Sequence, residues 1–505
     1  MIDRVKAAVL AVIRTLRPSG SLSSQTVKSA VWSVGINVGA RGLQLIMMIV
    51  LARLLTPRDI GLMGLALVTY SALSRFSRLG ISRALVQRPE ANVDEYLDTT
   101  WMMQIARSVL IAAILFFSAP FAAGFFDEPA VEPILQAIAL SPLITGFFNP
   151  SIVYFEKSLE LHKKFVFDMS GAITKFVIAV VLAFILESVW AFVYGYLAAD
   201  VAKLIASYAL DDRRPGLSFD REQAWELFGY GKWVTATSAI SFLLVSGDDW
   251  LIGWLMSTAV LGYYQMGYRL GKTPPLELSR SLSTVMFPMF SKLQTDSEAL
   301  ANAVNKTIRI LSFVSFPAAA GIVLTAPSFV RAFLGPQWLP IIPVMQIVAV
   351  YGAFSALTST FNEVWNATGH PDYNTKINFA RLVVTGAVIY PATTAYGIVG
   401  TVSAIAGIYV LLIVPVKTHL AVKSIGGTHR RFIIELAYPV FASVAMGAAL
   451  YFLRPALSGL PAIAEFACLV VAGVVVYVSA VAVVESLSTW KIRSDLEAVL
   501  GAVRS

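Results

Sequence analysis

The sequence predicts an all-α polytopic membrane protein of about 14 transmembrane helices, built as two pseudo-symmetric six-helix lobes plus two C-terminal helices. Of 505 residues, 57% are hydrophobic and only 14% charged, against about a quarter charged in a soluble domain. Apolar runs of about 20 residues, the length that crosses a bilayer, recur along the whole chain, and no polar interval between them is long enough to fold as a soluble domain. Finally, the basic residues alternate in density from one loop to the next.

Reading apolar runs between polar loops and Gly/Pro breaks places crossings at 29–52, 60–82, 99–123, 130–153, 165–186, 189–209, 230–255, 259–290, 305–332, 340–366, 374–395, 398–420, 432–453 and 462–486. Ahead of them, residues 1–28 have basic flanks around a short apolar core, as a signal peptide does. Arg14 and Arg17 break that run and no small-residue cleavage site follows, so an amphipathic segment on the inner membrane surface is expected. The domains expected are an N-lobe at 29–209, a cytoplasmic linker at 210–229, a C-lobe at 230–423, helices 13 and 14 at 430–486 and a cytoplasmic tail at 487–505.

With both termini cytoplasmic, the inside segments collect 24 Lys and Arg and the outside loops four: Arg53, Arg58, Arg331 and Arg454. One missed or invented helix would swap the sides of every later loop, so this asymmetry supports the count. It also accounts for the net charge of +8 and removes the case for nucleic acid. The single cysteine, Cys468, precludes an internal disulfide, and the four histidines show no ligand spacing, so no metal and no cofactor are expected. No phosphate-binding loop with GK[ST] is present, which speaks against ATP hydrolysis.

Eleven basic residues fall inside predicted helices. A mid-membrane charge is costly, so such residues face water, a partner or a bundle interior. Arg41, Arg75, Arg78, Arg107, Lys175, Arg269, Arg280 and Arg381 are candidate cavity cations, suited to an anionic solute such as a diphosphate, which arginine grips bidentately. The competing reading has several of them, Lys203, Lys272 and Arg309 among them, snorkel to the headgroups or close local ion pairs. Acidic residues at similar depth are fewer: Asp168, Asp200, Asp248, Asp249, Glu277 and Glu363. Of these, the adjacent Asp248-Asp249 pair and Glu363 are candidates for ion coupling. Sugar contacts are expected from Asn37, Gln104, Asn149, Tyr263, Tyr264 and Asn362, although helix interfaces use the same residue types.

The stretch "LARLLTPRDIGLMGLA" (51–66) sets a polar corner between the first two crossings, where Pro57 ends one helix and Asp59 can cap the next. It has a faint echo in "IGWLMSTAVLGYYQMG" (252–267), and a second echo pairs Phe148-Asn149 with Phe361-Asn362. Both lay crossing n over crossing n+6. An even number of helices makes the repeats parallel, related about an axis along the membrane normal.

Together with "FSRLGISRALVQRP" (76–89), "DDWLIGWLMSTAVLGYYQMGYRL" (248–270) and "TVMFPMFSKLQTD" (284–296), the opening stretch resembles the bacterial polysaccharide exporters of the multidrug/oligosaccharidyl-lipid/polysaccharide superfamily. The likeness is to the Wzx-type lipid-linked oligosaccharide flippases, in the branch with the colanic-acid and succinoglycan exporters. That resemblance implies a two-lobed bundle working by alternating access, and an undecaprenyl-diphosphate-linked oligosaccharide carried from inner to outer leaflet of the bacterial cytoplasmic membrane, coupled to an ion gradient. It implies a transporter and not an enzyme, working beside the polymerase and chain-length regulator of one pathway. The alternatives are a cation-coupled multidrug exporter of the same superfamily, whose first lobe would favour acids over arginines, and a membrane polysaccharide polymerase, which would need a sizeable outside loop.

Overall fold

The computed structural model describes residues 39–77, 93–158, 160–488, 490 and 492–493, and these contain helices and no β-strand. The predicted sites Asn37 and Arg78 and the side chain of Arg280 lie outside the described residues. Each predicted crossing overlaps a helix. The first unit holds α1 (39–54), α2 (Pro57–Phe76), α3 (Val93–Phe125), α4 (Val131–Ile138), α5 (Leu140–Gly146), α6 (Val153–Lys157), α7 (Leu161–Leu186), α8 (Trp190–Ala209) and α9 (Arg221–Leu255). There follow α10 (Thr258–Leu293), α11 (Ser297–Phe329), α12 (Ile342–Ala367), α13 (Asp372–Ile408), α14 (Val414–Ser424), α15 (His429–Leu457) and α16 (Ala462–Leu487).

Among the described residues, seven stretches are long and apolar enough to cross a membrane: α3 from Tyr96, α7, α11 with the π-turn behind it, Pro336–Ala367, Asp372–Ser424, α15 and α16. The remaining predicted crossings, the first of which reaches back beyond the described residues, are not among these. The one expected at 130–153 is divided into α4, α5, a 3₁₀ turn at Pro150–Ile152 and α6, because Asn149 caps a new turn there and Pro150 opens it.

Local chemistry sets the ends. At the polar corner the cap is Thr56: its Oγ1 accepts from the Asp59 backbone N–H at 3.3 Å, while Asp59 Oδ2 accepts from the Thr56 N–H at 3.0 Å. Asp59 is therefore the returning half of a capping box, with Pro57 in the first turn. Asp220 and Asp296 are themselves the N-caps of α9 and α11, their carboxylates accepting backbone N–H groups of the first turn. The break expected between residues 395 and 398 falls at Gly397, where φ is 62° and α13 is kinked. Thr393 and Thr401 hydroxyls meet across the kink at 2.8 Å.

The chain divides into two compact units, Met1–Ala259 and Val260–Ser505. In the first, α9 packs on α2 and α3, and α7 packs along α8. A methyl added at Gly195 would sit 3.0 Å from the Ala179 backbone nitrogen, so glycine is what lets α8 lie so close to α7. In the second, α11 packs against α12, α15 and α16. Gly267 and Gly271 of α10 lie against Val344 and Met345 of α12. Arg309 of α11 forks onto Glu435 of α15, both bonds 2.7 Å, and Tyr477 Oη donates to the Phe313 carbonyl at 2.8 Å. The last two helices are thereby fastened to the second unit.

Candidate functional site

Three helices of the first unit enclose a cavity of about 520 Å³. Each contributes one face at helical spacing: Ala40, Arg41, Gln44 and Met47 from α1, Asp168, Gly171, Ala172 and Lys175 from α7, and Tyr196, Ala199, Asp200 and Lys203 from α8. Three cations and two carboxylates meet there, a net charge of +1 within an apolar frame.

The charges have set places. Asp168 lies between two lysines, 3.1 Å from Lys203 Nζ and 3.7 Å from Lys164 Nζ. Gly171 makes room for the first of these, since a methyl there would come within 2.6 Å of the Lys203 stem. Asp200 accepts a 2.6 Å hydrogen bond from Ser141 Oγ. Lys175 sits over the Tyr196 and Phe192 rings at 4.8 and 5.1 Å from their centroids, a cation–π arrangement. Lys203, for which the sequence left open snorkelling or a local ion pair, lines the cavity and closes the ion pair with Asp168. The signal was available: Tyr196, Asp200 and Lys203 are spaced i, i+4 and i+7.

The other candidates divide. Arg75, in the last turn of α2, is half-buried, and no hydrogen bond or ion pair occupies its guanidinium among the described residues. Arg107 closes the end of α2, its Nε donating to the Ser77 carbonyl at 2.7 Å and its Nη2 to that of Ser74 at 2.9 Å. Gln104 Nε2 donates to the carbonyls of Thr145 and Gly146 at the end of α5. Asn149 is fully buried, its Oδ1 accepting from the Ser151 N–H and its Nδ2 donating to the Arg213 carbonyl. Arg107, Gln104 and Asn149 thus complete helix ends, where backbone groups have no helical partner.

Asp248 is buried in α9, with Asp249 half-buried beside it. In the second unit Arg269 is exposed and Glu363 half-buried. Tyr264 is buried, and Tyr263 meets Trp338 edge-on at 5.9 Å. Arg381 of α13 sits 4.9 Å from the centroid of the Tyr409 ring, and its Nη2 donates to Tyr351 Oη at 3.3 Å. Asn362 Oδ1 accepts from Lys417 Nζ at 2.8 Å. Among the described residues, no group of three or more His, Cys, Asp or Glu side chains is arranged to hold a metal ion.

An all-helical, multi-pass membrane fold with charged residues gathered inside a helix bundle defines a class of transport proteins. The fold is that of the lipid II flippase MurJ, solved in an inward closed conformation, with a TM-score of 0.72 at 13% identity over 90% of this chain and 98% of that one. It is also that of an inward-facing multidrug resistance MATE family transporter, with a TM-score of 0.58 at 15% identity over 84% and 99%. Residues 50–343, more than half of the chain, match the family model described as polysaccharide biosynthesis protein. The chain belongs to that family, the Wzx-type flippases of the superfamily that also holds MurJ and the MATE transporters. Among its relatives, the lipopolysaccharide biosynthesis protein WzxC of Escherichia coli K12 is 25% identical over 84% of this chain and 86% of its own length. The succinoglycan biosynthesis transport protein ExoT of Rhizobium meliloti is 23% identical over 74% and 76%.

Proposed function

We propose that the protein is a flippase that carries undecaprenyl-diphosphate-linked oligosaccharide repeat units from the inner to the outer leaflet of the cytoplasmic membrane for surface polysaccharide synthesis. It works by alternating access and draws on an ion gradient. The reading rests on one observation above all, the cavity at Arg41, Lys175 and Lys203, set among membrane helices of a chain in this family. A net-positive, partly desolvated cavity favours an anion, and the diphosphate is the one fixed negative feature of such a substrate. Arg75, Arg78, Arg269 and Arg280 are further partners for its charge, while the polyprenyl tail stays in lipid. The names of the relatives supply the pathway: WzxC is a lipopolysaccharide biosynthesis protein and ExoT a succinoglycan transport protein.

On this reading crossings 1–6 and 7–12 form the two lobes, 13 and 14 are an appendage, and both termini are cytoplasmic. Polymerase and chain-length regulator take over the product outside. The test is flipping of a fluorescent undecaprenyl-diphosphate oligosaccharide in proteoliposomes. The wild type should flip it; Arg41→Ala with Lys175→Ala, and separately Arg75→Ala with Arg78→Ala, should lower the rate at least about tenfold at equal protein content. Wild-type rates in both double variants, or efflux of cationic drugs in place of lipid flipping, would refute it.

A further inference from the structure

Among the described residues, the second unit contains three cations that share no carboxylate. Lys272 of α10 donates to Tyr268 Oη at 2.9 Å and lies 5.1 Å from the centroid of the Tyr351 ring. Arg381 holds the hydroxyl of the same Tyr351, whose ring meets Tyr409 edge-on at 4.8 Å. Lys417, only 4% exposed, offers three N–H donors and has one acceptor, Asn362 Oδ1. None of the three forms an ion pair among the described residues, and Glu363, next to Asn362, forms none with them.

The arrangement is built and not incidental. Tyr351, Thr358 and Asn362 follow one another along one face of α12 at helical spacing, and Thr358 meets the Tyr409 hydroxyl at 2.6 Å. Tyr409 and Lys417 are two turns apart on the segment that faces them. Tyrosine faces and one amide oxygen offset only part of the desolvation of three like charges, so the cluster is incomplete without an anion. Lys417 is closed off. Tyr268, Lys272 and Arg381 are half-buried, with Lys272 Nζ 4.7 Å from the centroid of the Tyr268 ring.

We propose that this cluster is a subsite for an acidic sugar: Lys272 and Arg381 take the carboxylate of a uronic-acid residue, and Tyr268 stacks on its ring. The assignment rests on the flippase reading and narrows its substrate to negatively charged repeat units. A sugar carboxylate suits it better than a bare phosphate, because Arg381 already spends one donor on Tyr351 and tyrosine rings surround both cations.

The test uses full-length protein in nanodiscs and two soluble probes, cellobiouronic acid and cellobiose, titrated calorimetrically, with inorganic phosphate as competitor. The uronate should bind at least about tenfold tighter than its neutral counterpart. Lys272→Gln and Arg381→Gln should abolish that preference, and Lys272→Arg should keep it, which separates a binding role from a folding one. Equal binding of the two sugars, no binding of either, or displacement of the uronate by phosphate at equal concentration would overturn the proposal. Flipping of a uronate-bearing lipid-linked oligosaccharide by the wild type reports on the transport reading, and the preference for uronate over neutral sugar reports on the subsite, so the two can fail separately.

Discussion

Arg58 at the start of α2 grips Glu128, which lies between α3 and α4, through both ends of its guanidinium: Nη2 to Oε1 at 2.6 Å and Nε to Oε2 at 3.3 Å. Thr258 Oγ1 adds a third donor to the same carboxylate at 2.9 Å. One acidic side chain thus joins the first polar corner, the α3–α4 turn and the start of α10.

The bonds from Arg58 hold the Glu128 carboxyl below its ordinary value, with Thr258 adding to the effect. A depressed carboxylate contributes stability above its unfolded pKa, near about 4.3, and loses it as pH falls through the lowered folded value. Glu128→Gln should therefore cost about 1 kcal/mol near neutral pH, a modest figure because Arg58 is largely exposed. Melting temperatures of wild type and variant, measured in nanodiscs from pH 7 to pH 3, should converge at the acid end. A constant gap would show that the charge does not matter.

Arg309 and Glu435 form a more enclosed pair, with side-chain exposures of 18% and 6%. Removing one partner strands the other away from water, so Arg309→Ala and Glu435→Ala should each cost about 3 kcal/mol. The swap of Arg309→Glu with Glu435→Arg should recover part of that. Thermal unfolding of the three variants measures it, and additive losses in the swap would argue against a specific pair.

Gly61 faces the Thr258 backbone so closely that a methyl group would lie 1.8 Å from the carbonyl oxygen. Backbone cannot move aside as a flexible side chain can. Gly61→Ala should cost at least about 2 kcal/mol, whereas Gly321→Ala, in a helix with open space beside it, should be neutral or mildly stabilising. Comparing the two by thermal unfolding isolates the close approach from any general effect of glycine replacement.

Lys175 lines the cavity with its ammonium over the Tyr196 and Phe192 rings. Lys175→Gln keeps most of the stem over Tyr196 and removes the charge, so flipping should fall at least about tenfold while the melting temperature moves by no more than about 2 °C. A large loss of stability with an unchanged rate per folded molecule would assign the lysine to packing.

Much of the fold was legible because its causes are local. The α1–α2 corner follows from Thr56, Pro57 and Asp59, and the α13 kink from Gly397, all of which act within a few residues. The cavity was half legible. Arg41 and Lys175 stand out as cations in apolar runs, but that Asp168 and Lys203 pair across two helices depends on how α7 meets α8, which Gly171 and Gly195 set through space. Asn149 and Gln104 carried no distinguishing signal, for the opposite reason: an amide that completes a helix end has the same signature in sequence as one that greets a sugar. Lys417 falls near the end of the crossing predicted at 398–420, and the structure buries it against Asn362.

That burial bears on how the protein is made. A lysine carried into the bilayer on its own helix costs about 2.5–3.5 kcal/mol at mid-span on insertion scales. Asn362 precedes Lys417 by 55 residues, so its helix leaves the ribosome first and the acceptor is in place when α14 arrives. The expected consequence is that the earlier segment helps to admit the later one, so Asn362→Leu should lower the amount of full-length protein recovered in the membrane fraction.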